Sequence, residues 1–101
     1  MMGPEASGKW TSNFDPPSTT LSFFELGRRY RVKTAFDDFD RDRHPVGESW
    51  IFLGSNYVPY HAGMSLFVSL DGEREWLIRL QWYKEEQADV LGALDHYLEP
   101  A

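Results

Sequence analysis

The chain has 101 residues, the size of one small domain, and its 4 Trp, 5 Tyr and 7 Phe within 42% hydrophobic residues exclude a disordered segment. Ten Lys and Arg against sixteen Asp and Glu give a formal net charge of −6, which disfavours a nucleic-acid partner. The lack of cysteine excludes disulfides, thiolate zinc sites and cysteine nucleophiles.

The first twenty residues are rich in Gly, Pro, Ser and Thr, and Pro16-Pro17 blocks regular structure in their middle. We therefore expect a flexible N-terminal arm over residues 1–20 and one folded domain over residues 21–101. Trp10 and Phe14 lie inside this arm. They indicate either docking onto the domain's own surface or a short partner-binding segment.

The folded part begins with a predicted helical turn, because Ser22 and Glu25 have capping-box spacing and Gly27 is suited to end a turn. Residues 28–36 then alternate between apolar and basic side chains, which predicts a half-buried strand with a basic outer face. We expect residues 37–45 to form a charged loop. A second strand is predicted over residues 48–53.

A hairpin is predicted in the second half of the chain, because Asp71-Gly72 separates two apolar runs, at residues 64–70 and 75–83. We expect a tight two-residue turn there, and a central strand at 75–83 because both of its faces are partly apolar. Residues 84–98 have the apolar spacing of a helix, and Pro100 is expected to stop it.

These elements predict a mainly β fold of the α+β class. We expect a small bent antiparallel sheet, or a partly open Src-homology-3-like barrel, of four to five strands with a C-terminal helix. A sheet with a helix on one face is the alternative architecture.

Three motifs occur in order along the chain: Gly47-Glu48-Ser49-Trp50-Ile51-Phe52, then Pro59-Tyr60-His61-Ala62-Gly63-Met64-Ser65-Leu66-Phe67, then Ile78-Arg79-Leu80-Gln81-Trp82. Together they resemble the signature of a small bacterial domain family of unknown function. The resemblance covers residues 26–97 and implies no reaction, no cofactor and no catalytic residue. The N-terminal arm departs from the pattern.

The alternating aspartates Asp38, Asp40 and Asp42 have the spacing of a calcium loop. Arg43 stands where that loop needs glycine and Ser49 where it needs glutamate, so we expect a solvated loop and no metal. His44, His61 and His96 lie in separate segments without ligand spacing. No phosphate-binding or dinucleotide motif is present, so no cofactor is expected.

Glu48 and Arg79 lie within apolar sequence, where an unpaired charge is costly. We expect them to pair with each other or with the backbone. An alternative is a small enzyme that uses His61 and Glu48 in a pocket, which requires the two side chains to converge.

The surplus of Tyr and Trp beside Arg, together with the acidic helix, is typical of protein-binding surfaces. It is equally compatible with an aromatic-filled core. The predicted partner-binding residues are Trp50, Tyr57, Tyr60, His61, Arg79, Trp82, Glu85, Glu86 and Asp89.

We therefore expect a non-catalytic protein-interaction module whose partner is a basic protein. The alternative within binding is an immunity or inhibitor protein that neutralises a basic toxin or nuclease. The chain has no apolar run of roughly 18 residues and no signal-peptide pattern in its first twenty residues, so we expect a cytoplasmic protein without a membrane partner. The oligomeric state and the identity of the partner stay open.

Overall fold

The computed structural model describes residues 1–13, 21–58, 63–81 and 85–101. Within these ranges the chain forms eight strands and two short helices. Its elements are β1 (Met2–Glu5), a 3-10 turn (Thr11–Asn13), β2 (Arg29–Val32), β3 (Phe36–Asp37), β4 (Arg43–His44), β5 (Ser49–Val58), β6 (Gly63–Ser69), β7 (Glu75–Gln81), α1 (Glu85–Gly92), α2 (Leu94–Tyr97) and β8 (Leu98–Pro100). Within these ranges no helix has the length and apolar character to cross a membrane.

Six of the strands form one antiparallel sheet in the order β1-β7-β6-β5-β2-β8, and β3 and β4 form a separate two-stranded ribbon. The mainly β fold with a C-terminal helix is confirmed. The expected count of four to five strands is not, because both chain ends add an edge strand. The expected antiparallel sheet is confirmed, and β1 and β8 form its edges, so the Src-homology-3-like barrel is not confirmed.

The core lies on one face of the sheet, where the inward residues of the central strands meet the helices. Alternation along β7 directs Trp76, Ile78 and Leu80 into this core. The other buried residues of the core are Phe24, Tyr30, Val32, Phe36, Trp50, Phe52, Met64, Leu66, Val68, Val90, Leu91, Leu94 and Leu98. Each large aliphatic or aromatic side chain buried there contributes roughly 1.5 to 3 kcal/mol.

The segment before β2 packs through aromatic rings rather than as a helical turn. Phe24 stacks on Phe52 with ring centroids 4.3 Å apart, and it meets Tyr30 edge to face at 5.0 Å. The backbone N–H of Glu25 donates to the Tyr30 hydroxyl at 2.7 Å. In place of the predicted single helical turn, the segment forms two separate turns, closed by the backbone N–H of Phe24 donating to the Leu21 carbonyl and that of Arg28 donating to the Glu25 carbonyl.

Residues 1–13, which composition assigned to a flexible arm, are built into the fold. In β1, Met2 pairs with Leu77 and Glu5 with Glu75. The Glu75 side chain is only 2% exposed, and it accepts hydrogen bonds from the backbone N–H groups of three residues and from one hydroxyl. These donors belong to Gly8, Trp10 and Thr11. A buried carboxylate needs such partners, so it fixes this segment against the sheet. Residues 14–20, with Phe14, lie outside the described residues.

The helix predicted over residues 84–98 is interrupted at Ala93 and ends at Tyr97, one residue before the predicted end. After α1 the chain forms the short α2, and from Leu98 it becomes the extended strand β8, which pairs with β2. Leu98 is fully buried, so its apolar character suits an inward strand position as well as a helical stripe. Sequence spacing alone does not separate the two.

The hairpin between β6 and β7 is confirmed, but residues 70–74 connect the strands in place of a tight two-residue turn. The Asp71 carboxylate accepts the backbone N–H groups of Glu73 and Arg74. These bonds lower the pKa of Asp71 to about 2. The backbone N–H of Gly72 donates to the Ser69 hydroxyl at 2.8 Å, and Gly72 itself has a φ of 81°.

We expect Gly72→Val to lower the free energy of unfolding by roughly 1 to 3 kcal/mol, because a β-branched residue resists positive φ. Urea unfolding measures the change. Gly92→Ala is the matched control, since Gly92 is helical and its added Cβ meets no atom within 4 Å. Equal midpoints for Gly72→Val and the parent would contradict the assigned turn.

Candidate functional site

The β3–β4 ribbon carries most of the charged groups that the sequence placed in a loop. Phe36 pairs with His44 and Asp37 with Arg43 across the ribbon. Its tip returns to the main sheet, where the backbone N–H of Phe39 donates to the Arg79 carbonyl at 2.8 Å. The strand predicted over residues 28–36 is thus divided between β2 and this ribbon.

A buried histidine anchors the ribbon. His44 is 1% exposed, its Nε2 lies 2.7 Å from Asp38 Oδ2, and its Nδ1 lies 2.5 Å from Glu48 Oε2. Burial alone would lower the pKa of His44, but the hydrogen bonds from the two carboxylates outweigh it and raise the pKa to about 9. The side chain is therefore an imidazolium at neutral pH, with both ring N–H groups donating.

The alternating aspartates have separate structural tasks. Oδ1 of Asp38 accepts the backbone N–H groups of Asp40 and Asp42, which closes the tip of the ribbon. Burial favours a higher pKa for Asp38, but hydrogen bonds from His44 and from the Met1 amino group hold it at about 2. Within the described ranges, no group of three His, Asp or Glu residues is arranged to hold a metal.

The expected pairing of Glu48 with Arg79 is wrong. Glu48 accepts from His44 and, at 3.3 Å, from the indole N–H of Trp50. Arg79 donates to both oxygens of Asp40 and lies against the Phe39 ring, 5.3 Å from its centroid. Two separate charged contacts therefore hold the ribbon, Glu48 with His44 and Arg79 with Asp40.

An open cleft of about 270 Å³ lies between the ribbon and the C-terminal helices. Its lining residues are Ala35, Phe36, Asp37, Arg43, Asp89, Val90 and Tyr97. Phe36 and Val90 are buried, and Tyr97 meets Phe36 edge to face at 6.0 Å, so the floor is apolar and aromatic.

The rim of the cleft is acidic. Asp37 and Asp89 are exposed, and the exposed Arg43 lies 3.3 Å from Asp37 through its Nε. Two carboxylates against one guanidinium leave a local excess of one negative charge. The rim therefore attracts a cationic group, while the floor offers the face or edge of aromatic rings.

The structure distributes the predicted partner-binding residues over several places. Asp89 lines the cleft. Tyr57 is 43% exposed near the end of β5, where it remains a candidate contact. Trp50 is 0% exposed and lies in the core, so it offers no surface to a partner. Arg79 is engaged by Asp40.

The remaining predicted residues stay predictions. Glu85 and Glu86 begin α1, but their side chains are not described. Tyr60, His61 and Trp82 lie outside the described residues. The His61–Glu48 pocket therefore also stays a prediction, although His44 and Trp50 already use the Glu48 carboxylate.

Sequence reasoning missed Asp37, Arg43 and Tyr97 as cleft residues. The first two lie opposite each other across the ribbon, and Tyr97 lies within the residues that the sequence predicts as one helix. The opposite charges of Asp37 and Arg43, near the two ends of residues 36–44, are the signal that could have predicted a hairpin there and brought these two residues together.

Comparison with solved structures finds an integron cassette protein from the mobile metagenome of Vibrio cholerae. The two chains share 33% sequence identity with a TM-score of 0.74, and the alignment covers 80% of this chain and 89% of that chain. The chain belongs to the same family as this integron cassette protein. No family model matches the chain, and neither does any curated protein.

We expect the stability of this cassette-family protein to fall as pH rises from 6.5 to 9. The pKa of His44 is raised from 6.5 to about 9, so its contribution is complete below pH 6.5 and is lost on deprotonation of the folded state. The loss should be about 3 kcal/mol. Urea unfolding at a series of pH values measures it.

In that series, His44→Gln should be much less stable than the parent at pH 6 and approach it near pH 9.5, because the variant leaves two carboxylates without their cation. His96→Gln, on an exposed histidine outside the network, is the matched control. Parallel pH profiles for the parent and His44→Gln would contradict the buried imidazolium.

Proposed function

We propose that the protein is a non-catalytic protein-interaction module that holds a basic side chain of its partner in the cleft between the ribbon and α1. The observation that carries this proposal is the pair of exposed carboxylates, Asp37 and Asp89, above a floor of Phe36 and Tyr97. Carboxylates beside an aromatic ring match a lysine or arginine head group in charge and shape.

Size and charge support the same partner. The cleft volume of about 270 Å³ corresponds to several water molecules at roughly 30 Å³ each, which is enough for a side-chain head group. The net charge of −6 accelerates encounter with a positive protein surface. The cleft then supplies a defined contact after encounter.

The cleft is also well supported before a partner arrives. Phe36 stacks on His44 with centroids 4.8 Å apart, and His44 is held by Asp38 and Glu48. A floor fixed in this way loses little side-chain entropy on binding. Preorganisation of this kind favours a specific contact over general electrostatic attraction.

A second candidate function is inhibition of a basic toxin or nuclease. The same acidic cleft and the same net charge support it, because an inhibitor of such a protein must cover a positively charged surface. The two candidates differ in outcome. An inhibitor abolishes the activity of its bound partner, whereas an interaction module leaves that activity in place.

We expect Asp89→Asn to weaken partner binding by roughly 5- to 10-fold, mainly through slower association with a flatter salt dependence. The full chain is used to capture a partner from a lysate of the source organism, and the purified partner is then measured by surface plasmon resonance. Asp37→Asn should act in the same direction, because it removes the other carboxylate of the rim.

Asp95→Asn is the matched control, since it removes the same charge from an exposed position on α2 that does not line the cleft. Its affinity should stay within about twofold of the parent. An equal loss of affinity in Asp95→Asn and Asp89→Asn would show that binding depends only on the net charge of the protein. A partner whose binding ignores both Asp37 and Asp89 would overturn the assignment of the cleft.

A further inference from the structure

Basic residues are concentrated along β2 on the outer face of the sheet, which is the face opposite the core. Four of the ten Lys and Arg of the chain lie between positions 28 and 33. Within β2, Tyr30 and Val32 are buried in the core, so alternation directs Arg29 and Arg31 outward. The exposed Lys33 directly follows the strand. The outer face of β2 is therefore a positively charged surface on an acidic protein.

The guanidinium of Arg29 is half-buried, and its charge is not neutralised. Its Nη1 donates to the Ser49 hydroxyl at 3.2 Å, and among the residues that the structure describes no carboxylate pairs with it. A charge that is partly withdrawn from water is costly unless an opposite charge meets it. A guanidinium has five N–H groups, so Arg29 retains donors for an anion.

The neighbouring Arg31 lies between Ser49 of β5 and Glu99 of β8, directly opposite both. Its Nε and Nη2 donate to Glu99 Oε1 at 3.4 and 3.2 Å, and the two side chains are 48% and 40% exposed. Such an exposed ion pair contributes little, so Arg31 is able to meet a second anion. Together with Arg29 and Lys33, and against the single carboxylate of Glu99, it gives the described surface a local excess of two positive charges.

The neighbours of the two arginines favour a protein partner over a nucleic acid. Single-stranded nucleic acids bind to surfaces on which bases stack against aromatic side chains. The described residues directly opposite Arg29 and Arg31 are Ser49, Ile51 and Glu99, none of which is aromatic. The net charge of −6 also repels a long polyanion. A short acidic segment of a protein places its carboxylates on the basic residues alone.

The spacing of Arg29 and Arg31 fits an extended segment. Two residues apart on one strand, their backbone positions are about 6.6 Å apart along it. An extended peptide with an acidic side chain at every second position presents its carboxylates at the same repeat. Each carboxylate can accept two N–H groups of one guanidinium.

We propose that the outer face of β2 binds an extended acidic segment of a partner protein, with one carboxylate on Arg29 and the next on Arg31. The half-buried Ile51 lies beside Arg29 and offers an apolar contact to the aliphatic part of the acidic side chain. This surface faces away from the cleft, which lies on the core side of the sheet. It does not depend on the proposed function.

The test is an NMR titration of the isotope-labelled full chain at low salt, following the Arg29 Nε–H. The probes are a blocked peptide of alternating Ser and Glu, a blocked peptide of the same composition with all its Glu together, and a thymidine oligonucleotide. We expect saturable shifts with the alternating peptide, with a dissociation constant on the order of 1 mM. The second peptide should bind at least about threefold more weakly, because adjacent carboxylates of an extended chain point to opposite sides. The oligonucleotide should cause no saturable shift.

Arg29→Gln should weaken binding of the alternating peptide by roughly 3- to 5-fold, and Arg31→Gln should act in the same direction. Arg28→Gln is the matched control. It removes the same charge from the adjacent position, where the exposed guanidinium pairs with Glu25 at 3.4 Å and lies outside the two-residue repeat. Its affinity should stay within about twofold of the parent.

Four results overturn the proposal. They are the lack of saturation by the alternating peptide at roughly 10 mM, equal affinity for the two peptides, equal losses in Arg28→Gln and Arg29→Gln, or tighter binding of the oligonucleotide. The last result would assign the surface to single-stranded nucleic acid. The comparison of probes uses the parent chain, so it decides the question even if Arg29→Gln does not fold. Because no probe carries a basic group, these results leave the proposed function of the cleft standing.

Discussion

A protonated imidazole enclosed by two carboxylates ties the β3–β4 ribbon to the main sheet. His44 binds Asp38 on its own ribbon and Glu48 just before β5, and Glu48 also accepts from the indole of Trp50 in the core. Removing one member of a buried ion group leaves an uncompensated charge, which typically costs 3 to 5 kcal/mol. The position of the ribbon, and with it one wall of the cleft, therefore depends on this group.

The segments at the two ends of the chain complete the sheet by adding one edge strand each. β1 adds to β7 and β8 adds to β2, so pairings between residues far apart in sequence form both edges. Glu75 makes the N-terminal addition specific, because its buried carboxylate is satisfied only when residues 8–11 lie over it. Closing such long loops costs chain entropy, which the local segments cannot repay before the central strands exist.

The central strands could be predicted because their signals are local. Alternation in residues 64–70 and 75–83, with Asp71-Gly72 between them, leads directly to the β6–β7 hairpin. β1 and β8 were missed because each depends on a distant partner, and Leu98 satisfies a helical and a strand pattern equally well. The ribbon was taken for a loop, since its charges look solvated until His44 is known to lie between two of them.

The candidate site was predictable only in part, for the same reason. Asp89 was found from the acidity of its helix, and it lines the cleft. Trp50 was wrongly placed at the surface, because composition shows that aromatic residues are in surplus but does not show which of them the core encloses. Asp37, Arg43 and Tyr97 come together only through the tertiary fold.

The two edge strands limit how other chains can pair with this sheet. β1 contains Pro4 and β8 ends at Pro100, and each strand is no longer than four residues. Proline has no N–H to offer to an incoming strand, and short edges give little length for continued pairing. The open sheet is thereby protected against growth into larger β assemblies by the addition of further strands at its edges.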